Sequence, residues 1–482
     1  MCAAASISRL ALALVFVSQI SLAGPPHYRV IDFGTLGGNI SYFYTGTREL
    51  NEAGELIYQA ETATPDPVGL ITGGLLTRGV AARNRVEDLG TPLGQLERDN
   101  SFPIALADNG LIVGATTNGE MDTATDFPQV RAVLWQAGHG IALGDLGGNG
   151  SQAWAVNNAG MVAGVALDAV PDNIADQFYG LPAATRSRAF VWRHGTMEDI
   201  GTLGGPDANA MAINDAGQVA GNSSLDATVH ATTGFPTVHP FLWQNGRIRD
   251  VGTLGGTLST IGPSGGLFGA GEALNRRGEI AGTSTLAGDT IKHAFLWTNG
   301  LMRDLGTLGG ANSQALAINE NGDAVGIADL EMGSRVFHAF FWHDGHMNDL
   351  GTLPGCDLSK AFSVNNLGDS VGIIGACSGD VIPRGFVSFA GAPMVDLNDL
   401  VIGDPGMLIF EAYYINNAGD IAAIGLLPSG DVHAVLLRPT NESNPAAHVV
   451  IHVKPDLHGA AWRGIHDDEL SGLPARHRGL TY

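Results

Sequence analysis

The chain has 482 residues, 68 of them glycine; 44% of residues are hydrophobic, 15% are charged, and the formal net charge is −23. So apolar a composition excludes disorder, and so much glycine points to tight turns and short strands rather than helices. The acidity, with Lys nearly absent, excludes nucleic acid and anionic membrane as partners and leaves cations and basic or neutral ligands.

The first residues read as an export signal. Arg9 gives the positive start, Leu10 to Phe16 a short apolar run, and Ser21-Leu22-Ala23 the small residues before a cleavage placed after Ala23. That run barely reaches spanning length and no later segment does, so the mature chain is expected to have no transmembrane segment. The protein is thus expected to be secreted, either extracellular or periplasmic. Cys2 has no lipobox before it and leaves with the signal.

From residue 24 to 438 one unit repeats. It shows best in His293-Ala-Phe-Leu-Trp297, then Asp304-Leu-Gly-Thr-Leu-Gly-Gly310, then Ala315-Leu-Ala-Ile-Asn319 and Gly322-Asp-Ala-Val-Gly326. The Asp recurs at Asp32, Asp88, Asp145, Asp199, Asp250, Asp304, Asp349 and Asp396. The turn glycine recurs at Gly54, Gly110, Gly160, Gly217, Gly278, Gly322, Gly368 and Gly419. This spacing of roughly 50 residues suits a propeller or a solenoid. Each unit reads as four antiparallel strands, with hairpins at Thr298-Asn299-Gly300 and at Asn319 to Gly322. The second unit has Ala107 in place of the turn Asn.

The repeat enters at Asp32, in a second strand, and leaves at His433-Ala-Val-Leu-Leu437, a first strand without a partner. Joining the two completes one unit from both ends. The fold class expected is therefore all-β: a β-propeller of eight four-stranded blades, with the closing blade shared by the termini. After Pro439 the repeat is lost, and residues 439–482, with five histidines, read as a mobile tail.

These residues resemble the HAF-repeat family of bacterial extracellular proteins, named for the tripeptide seen at His293-Ala294-Phe295 and His338-Ala339-Phe340. The resemblance covers most of the mature chain. It departs near Leu75 to Ala82, where the tripeptide is hard to recognise. It implies export and repetition, and no assigned activity.

The recurring Asp is not read as catalytic, because acid–base pairs need unlike environments and these would share one. A hairpin turning between Trp243 and Gly246 instead places His239 opposite Asp250. The same construction pairs Arg188 with Asp199, His293 with Asp304 and His338 with Asp349, as favourable cross-strand pairs. Arg131, Arg188 and Arg384 take the His position elsewhere, which argues against metal binding there. The recurring Trp135, Trp192, Trp243, Trp297 and Trp342 are expected to fill the core between units. No nucleophile elbow, phosphate loop or zinc motif is visible, so no catalytic residue, cofactor or metal is expected.

Long, unequal connections, about 59–70, 116–130, 165–186 and 222–238, are expected to run from unit to unit on one face. They carry Asp122, Asp126, Asp168, Asp172 and Asp176 beside Phe178, Tyr179 and Phe235, the expected binding face. The leading expectation is a monomeric, non-enzymatic scaffold that contacts an extracellular protein, a glycan or a cation there. The alternative is a carbohydrate-active hydrolase or lyase using loop carboxylates on the same face. Finally, if Asn365 faces Gly368 across its turn, Cys356 faces Cys377, and a disulfide is expected between them.

Overall fold

The computed structural model describes residues 24–43, 48–69, 74–94, 98–262, 272–333, 336–377, 382–403 and 405–440. Residues 1–23, expected to be an export signal, and residues 441–482 lie outside the described residues. The described backbone is nearly all strand, with two four-residue helices, α1 (Asp176–Tyr179) and α2 (Leu397–Leu400). Among the described residues no helix is long and apolar enough to cross a membrane.

The strands form four four-stranded sheets and two eight-stranded ones. Each larger sheet is two antiparallel sets of four touching at one parallel pair, Val238 with Leu258 in one and Ile40 with Val432 in the other. The chain therefore divides into four-stranded antiparallel units, numbered I to VIII here: 37–88, 101–142, 151–199, 208–250, 255–304, 313–349, 356–396 and 408–440. Unit VIII takes its fourth strand, His27–Asp32, from the other end of the chain, paired antiparallel with Val432–Thr440. His433 Nδ1 meets Asp32 at 2.9–3.0 Å across that junction. The strand runs two residues beyond the limit of 438 expected from sequence.

The units are cut differently from the sequence reading. Each begins with the strand leading into the Asn turn, and the His-Ala-Phe strand comes third. The Asp-Leu-Gly-Thr-Leu segment is the crossing to the next unit. The long connections lie inside a unit, between its second and third strands, as at Asp122–Phe127 in unit II. The Asp explains the cut. Its side chain caps the crossing, accepting from the N–H two residues on, as Asp304 does from Gly306 at 2.8 Å and Asp250 from Gly252 at 2.7 Å.

The basic partners of the Asp are present, but the register is offset by two. Gln244 pairs with Arg247, so Asp250 lies opposite Phe241, and His239 reaches it diagonally at 2.8 Å. The reason is the turn. Asn245 and Gly246 both have positive φ, 52° and 77°, which closes a two-residue hairpin one position later than expected. Arg188–Asp199, His293–Asp304 and His338–Asp349 are likewise in contact. Burial works to raise the Asp250 carboxyl, yet the His239 hydrogen bond and charge hold it below its ordinary value.

In six of the units the first strand carries a bulge three residues before the turn Asn position, at Ile104, Trp154, Met211, Leu316, Phe362 and Tyr413. The bulged backbone presses on the facing glycine. A Cβ at Gly326 would stand 1.9 Å from the Gln314 carbonyl, and one at Gly164 2.1 Å from that of Gln152. This close approach accounts for part of the glycine content.

Cores form between neighbouring units. Trp243 packs with Val191 and Ala163 of unit III, and Trp135 with Leu89 and Ile57 of unit I. Trp135 also donates to the Leu89 carbonyl at 3.0 Å. Cys356 is disulfide-bonded, and Cys377 stands directly opposite it in register. Two offsets cancel to give that alignment: the turn is one residue longer than expected, pairing Val364 with Ser370, and the bulge at Phe362 removes the difference.

Candidate functional site: the cavity at the Asn turns

The Asn of each short turn builds the wall of a shared cavity. Asn157 Oδ1 accepts from the N–H groups of Ala159 and Met161, which fixes its own turn. Its Nδ2 is left to donate outward, and reaches the Asn214 carbonyl of the next unit at 3.0 Å. The pattern repeats from Asn214 to Asn275, Asn275 to Asn319, Asn319 to Asn365 and Asn365 to Asn416. Asn416 then donates to the Asn51 carbonyl at 3.0 Å, and Asn51 to that of Ala107 at 3.3 Å. Ala107 has no amide to pass on. There Asn109 substitutes, donating from Nδ2 to the Asn158 carbonyl at 2.9 Å.

Residues of all eight units line the cavity, of about 140 Å³, inside these turns. Its rim is the residue after each Asn: Glu52, Asp108, Asn158, Asp215, Arg276, Glu320, Asn366 and Asn417. Many of their side chains accept a backbone N–H from the unit before, as Glu52 does from Asn417 at 3.1 Å.

Deeper, the bulged position is apolar in six units, but Arg48 and Glu272 occupy the corresponding places in units I and V. Arg48 Nε donates to the Tyr414 hydroxyl at 3.2 Å, and its Nη2 meets Asp108 at 2.5 Å. The Ser363 and Tyr414 hydroxyls hydrogen-bond to the Glu272 carboxyl. A relay therefore runs Asp108–Arg48–Tyr414–Glu272 across the cavity. Burial pushes the Glu272 carboxyl up to about 8, against those hydroxyls and the Arg48 charge. Burial also raises the Tyr414 phenol well above its ordinary range, with Glu272 adding to the shift. Burial works to lower the Arg48 guanidinium, and Tyr414 and Asp108 outweigh it, so it stays charged. The cavity thus brings together a carboxyl shifted upward by burial, a phenol and a fixed cation.

The residues expected to form a binding face are placed otherwise. Asp122, Asp126, Asp168, Asp172 and Asp176 lie in or beside the connections between second and third strands, and none of them lines the cavity. Asp122, Asp168 and Asp172 each cap their own loop, accepting from Ala124, Val170 and Ile174. Asp168 is in addition paired with Arg186 at 2.6 Å. Among the described residues no three His, Cys, Asp or Glu side chains are arranged to hold a metal ion.

Phe178 and Tyr179 correct the expectation of exposed stacking groups. They are 0% and 3% exposed. Both sit on α1, which folds inward: Asn209 and Gln152 donate to their carbonyls at 2.9 and 2.7 Å. Tyr179 packs on Ile104 and Trp154, and Phe178 on Val238 and Leu258, with Phe235 partly buried beside it. Apolar rings four residues or less from a loop Asp satisfied their own burial rather than presenting a surface.

Arg48 and Glu272 were missed because the sequence was read for what repeats. The signal was present: aligned on the turn Asn, they are the two charges at a position otherwise filled by Ile, Trp, Met, Leu, Phe and Tyr.

No protein-family model matches the chain, and no curated protein matches it. Solved structures resemble it at the level of the fold. Dipeptidyl peptidase 4 of Porphyromonas gingivalis aligns over 83% of this chain and 60% of its own, at 10% identity and a TM-score of 0.41. The acylaminoacyl peptidase of Pyrococcus horikoshii aligns over 70% of this chain at 9% identity and a TM-score of 0.39. The match spans about half, 52%, of that peptidase. A PL25 ulvan lyase aligns over 84% of this chain and 95% of its own, at 10% identity and a TM-score of 0.35.

Proposed function

We propose that the chain is an exported HAF-repeat protein folded as an eight-bladed propeller, closed by a blade shared between its termini. We further propose that it is a glycoside hydrolase acting on a neutral or basic glycan at the cavity ringed by its Asn turns. Closure is supported by the Asn amide bonds that return from Asn416 to Asn51 and by one cavity that all eight units line.

The observation that carries the activity is Glu272: a carboxyl uncharged near neutral pH, inside a cavity, touching a phenol beside a fixed cation. In this role Glu272 gives its proton to the departing glycosidic oxygen as the carbon–oxygen bond breaks. Tyr414 holds the carboxyl in place, and the Arg48–Asp108 pair fixes Tyr414. Water then attacks the anomeric carbon and gives its proton to one of the rim carboxylates, Glu52, Asp215 or Glu320, which completes the hydrolysis. The rim selects the substrate class. Glu52, Asp108, Asp215 and Glu320 outnumber Arg276 there, even with Arg48 deeper in the cavity counted, which disfavours polyanionic chains.

A second reading, a binding scaffold without chemistry, is favoured by one fact: Arg48, Asp108, Tyr414 and Glu272 all have protein partners already. A panel of neutral, amino-sugar and uronate glycans separates the two. Release of reducing ends, lost in Glu272→Gln with the fold intact, supports the enzyme. Binding without turnover, undiminished in Glu272→Gln, supports the scaffold.

A further inference from the structure

In units II, IV and VI the first strand is preceded by a residue whose side chain fastens it to the unit before. In unit II this is Asn100, whose Oδ1 accepts from Thr77 N at 2.7 Å; in unit VI it is Asn312, accepting from Lys292 N at 3.1 Å. In unit IV the same position is Asp207, accepting from Ser187 N at 2.9 Å. Both Asn residues use their Nδ2 as a donor, to Asp66 and Asp329. Asp207 has a carboxyl oxygen in that place. It is fully buried, and its Oδ2 has no hydrogen-bond partner. A carboxylate there leaves a buried charge half-solvated, whereas the protonated acid has no charge to bury.

The same residues hold α1. Ser187 Oγ donates to the Ala175 carbonyl at the start of α1 at 2.8 Å. The helix in turn sets Tyr179 against Trp154, which lines the channel cavity from the other side. Gly150 makes the socket: a Cβ there would stand 2.2 Å from the Tyr179 hydroxyl.

We propose that Asp207 is a titratable latch that keeps α1 docked against Trp154 of the cavity wall, and that loss of its proton loosens α1. The charged groups around it are Asp172, Arg188 and Arg186. Both arginines are already engaged, Arg188 with Asp199 and Arg186 with Asp168, and so offer the carboxylate little relief. Burial, with Asp172 adding to it, pushes the Asp207 carboxyl up to about 7. Its value rises on docking, so docking is strongest below the ordinary carboxylate range and weakens as pH climbs to about 7.

Amide hydrogen exchange of residues 175–180, normalised at each pH to an unstructured peptide of the same sequence, tests this. If Asp207 titrates ordinarily once α1 is undocked, opening increases about tenfold from pH 6 to pH 8. The amides of unit VI should show no such change, and Asp207→Asn should remove it. Equal protection of 175–180 at both pH values in the unmodified chain would overturn the proposal. So would a parallel loss in unit VI, or a loss that persists in Asp207→Asn.

Discussion

The two ends of the molecule are built on opposite principles. At the Asn-turn end one residue type repeats, and each copy serves its own turn and its neighbour's backbone, so local and long-range order come from the same side chain. At the loop end the long connections differ in length and sequence, and Asp122, Asp168 and Asp172 each cap their own loop. A regular frame makes a cavity whose exceptions, Arg48 and Glu272, stand out as functional candidates. An irregular surface rich in acids yields no such convergence. Acidity in a loop is therefore weaker evidence of a site than a charge that breaks a repeat.

The largest effect that can break this comparison is truncation before His433. It removes the strand Val432–Thr440, and with it the partner of His27–Asp32. Cooperative thermal unfolding by circular dichroism should be lost; an unchanged melting temperature contradicts closure by a shared blade.

Next comes the cysteine pair. The loop between Cys356 and Cys377 has about 20 residues, and closing such a loop stabilises by roughly 3 kcal/mol in the chain-entropy account. The unfolded, unreduced mature protein should show no reactive thiol, and two after reduction. Two reactive thiols before reduction reject the bond.

Asn416→Ala tests the amide frame. It leaves the Asn51 carbonyl and the turn N–H groups of Ala418 and Asp420 short of a partner. A loss of about 2 kcal/mol in chemical denaturation is expected for a buried group of this kind. A loss of under about 0.5 kcal/mol, the size of an ordinary surface change, shows the frame to be incidental.

The smallest effect belongs to the loop end. Neutralising Asp168, Asp172 and Asp176 together should cost about 1 kcal/mol or less, mostly the half-exposed pair with Arg186. It should leave glycan turnover unchanged. Loss of turnover in that variant returns the site to the loop face.

Much of the frame was legible because it repeats. The four-stranded unit, the shared closing unit, the inter-unit Trp and the His–Asp contacts all follow from residues at fixed spacing. The register of the His–Asp pairs was not, since a turn with Asn245 and Gly246 at positive φ closes one residue later than spacing alone implies. The burial of Phe178 and Tyr179 was hidden as well. A four-residue helix leaves no periodicity, and its socket at Gly150 lies in a strand start many residues away. Glu272 was obscured for the converse reason: it departs from a repeat that had to be aligned first.

The channel site rests on Glu272 carrying a proton near neutral pH. Because its value is raised in the folded state, it also costs stability as pH rises from about 4.5 to about 8, and Glu272→Gln should flatten that slope. The direct measurement is the titration of Glu272 by carbon NMR of carboxyl-labelled protein, assigned by the signal missing in Glu272→Gln. A midpoint near 8 is predicted. A midpoint in the ordinary glutamate range, about 4.3, would show a charged carboxylate at neutral pH and contradict its role as proton donor.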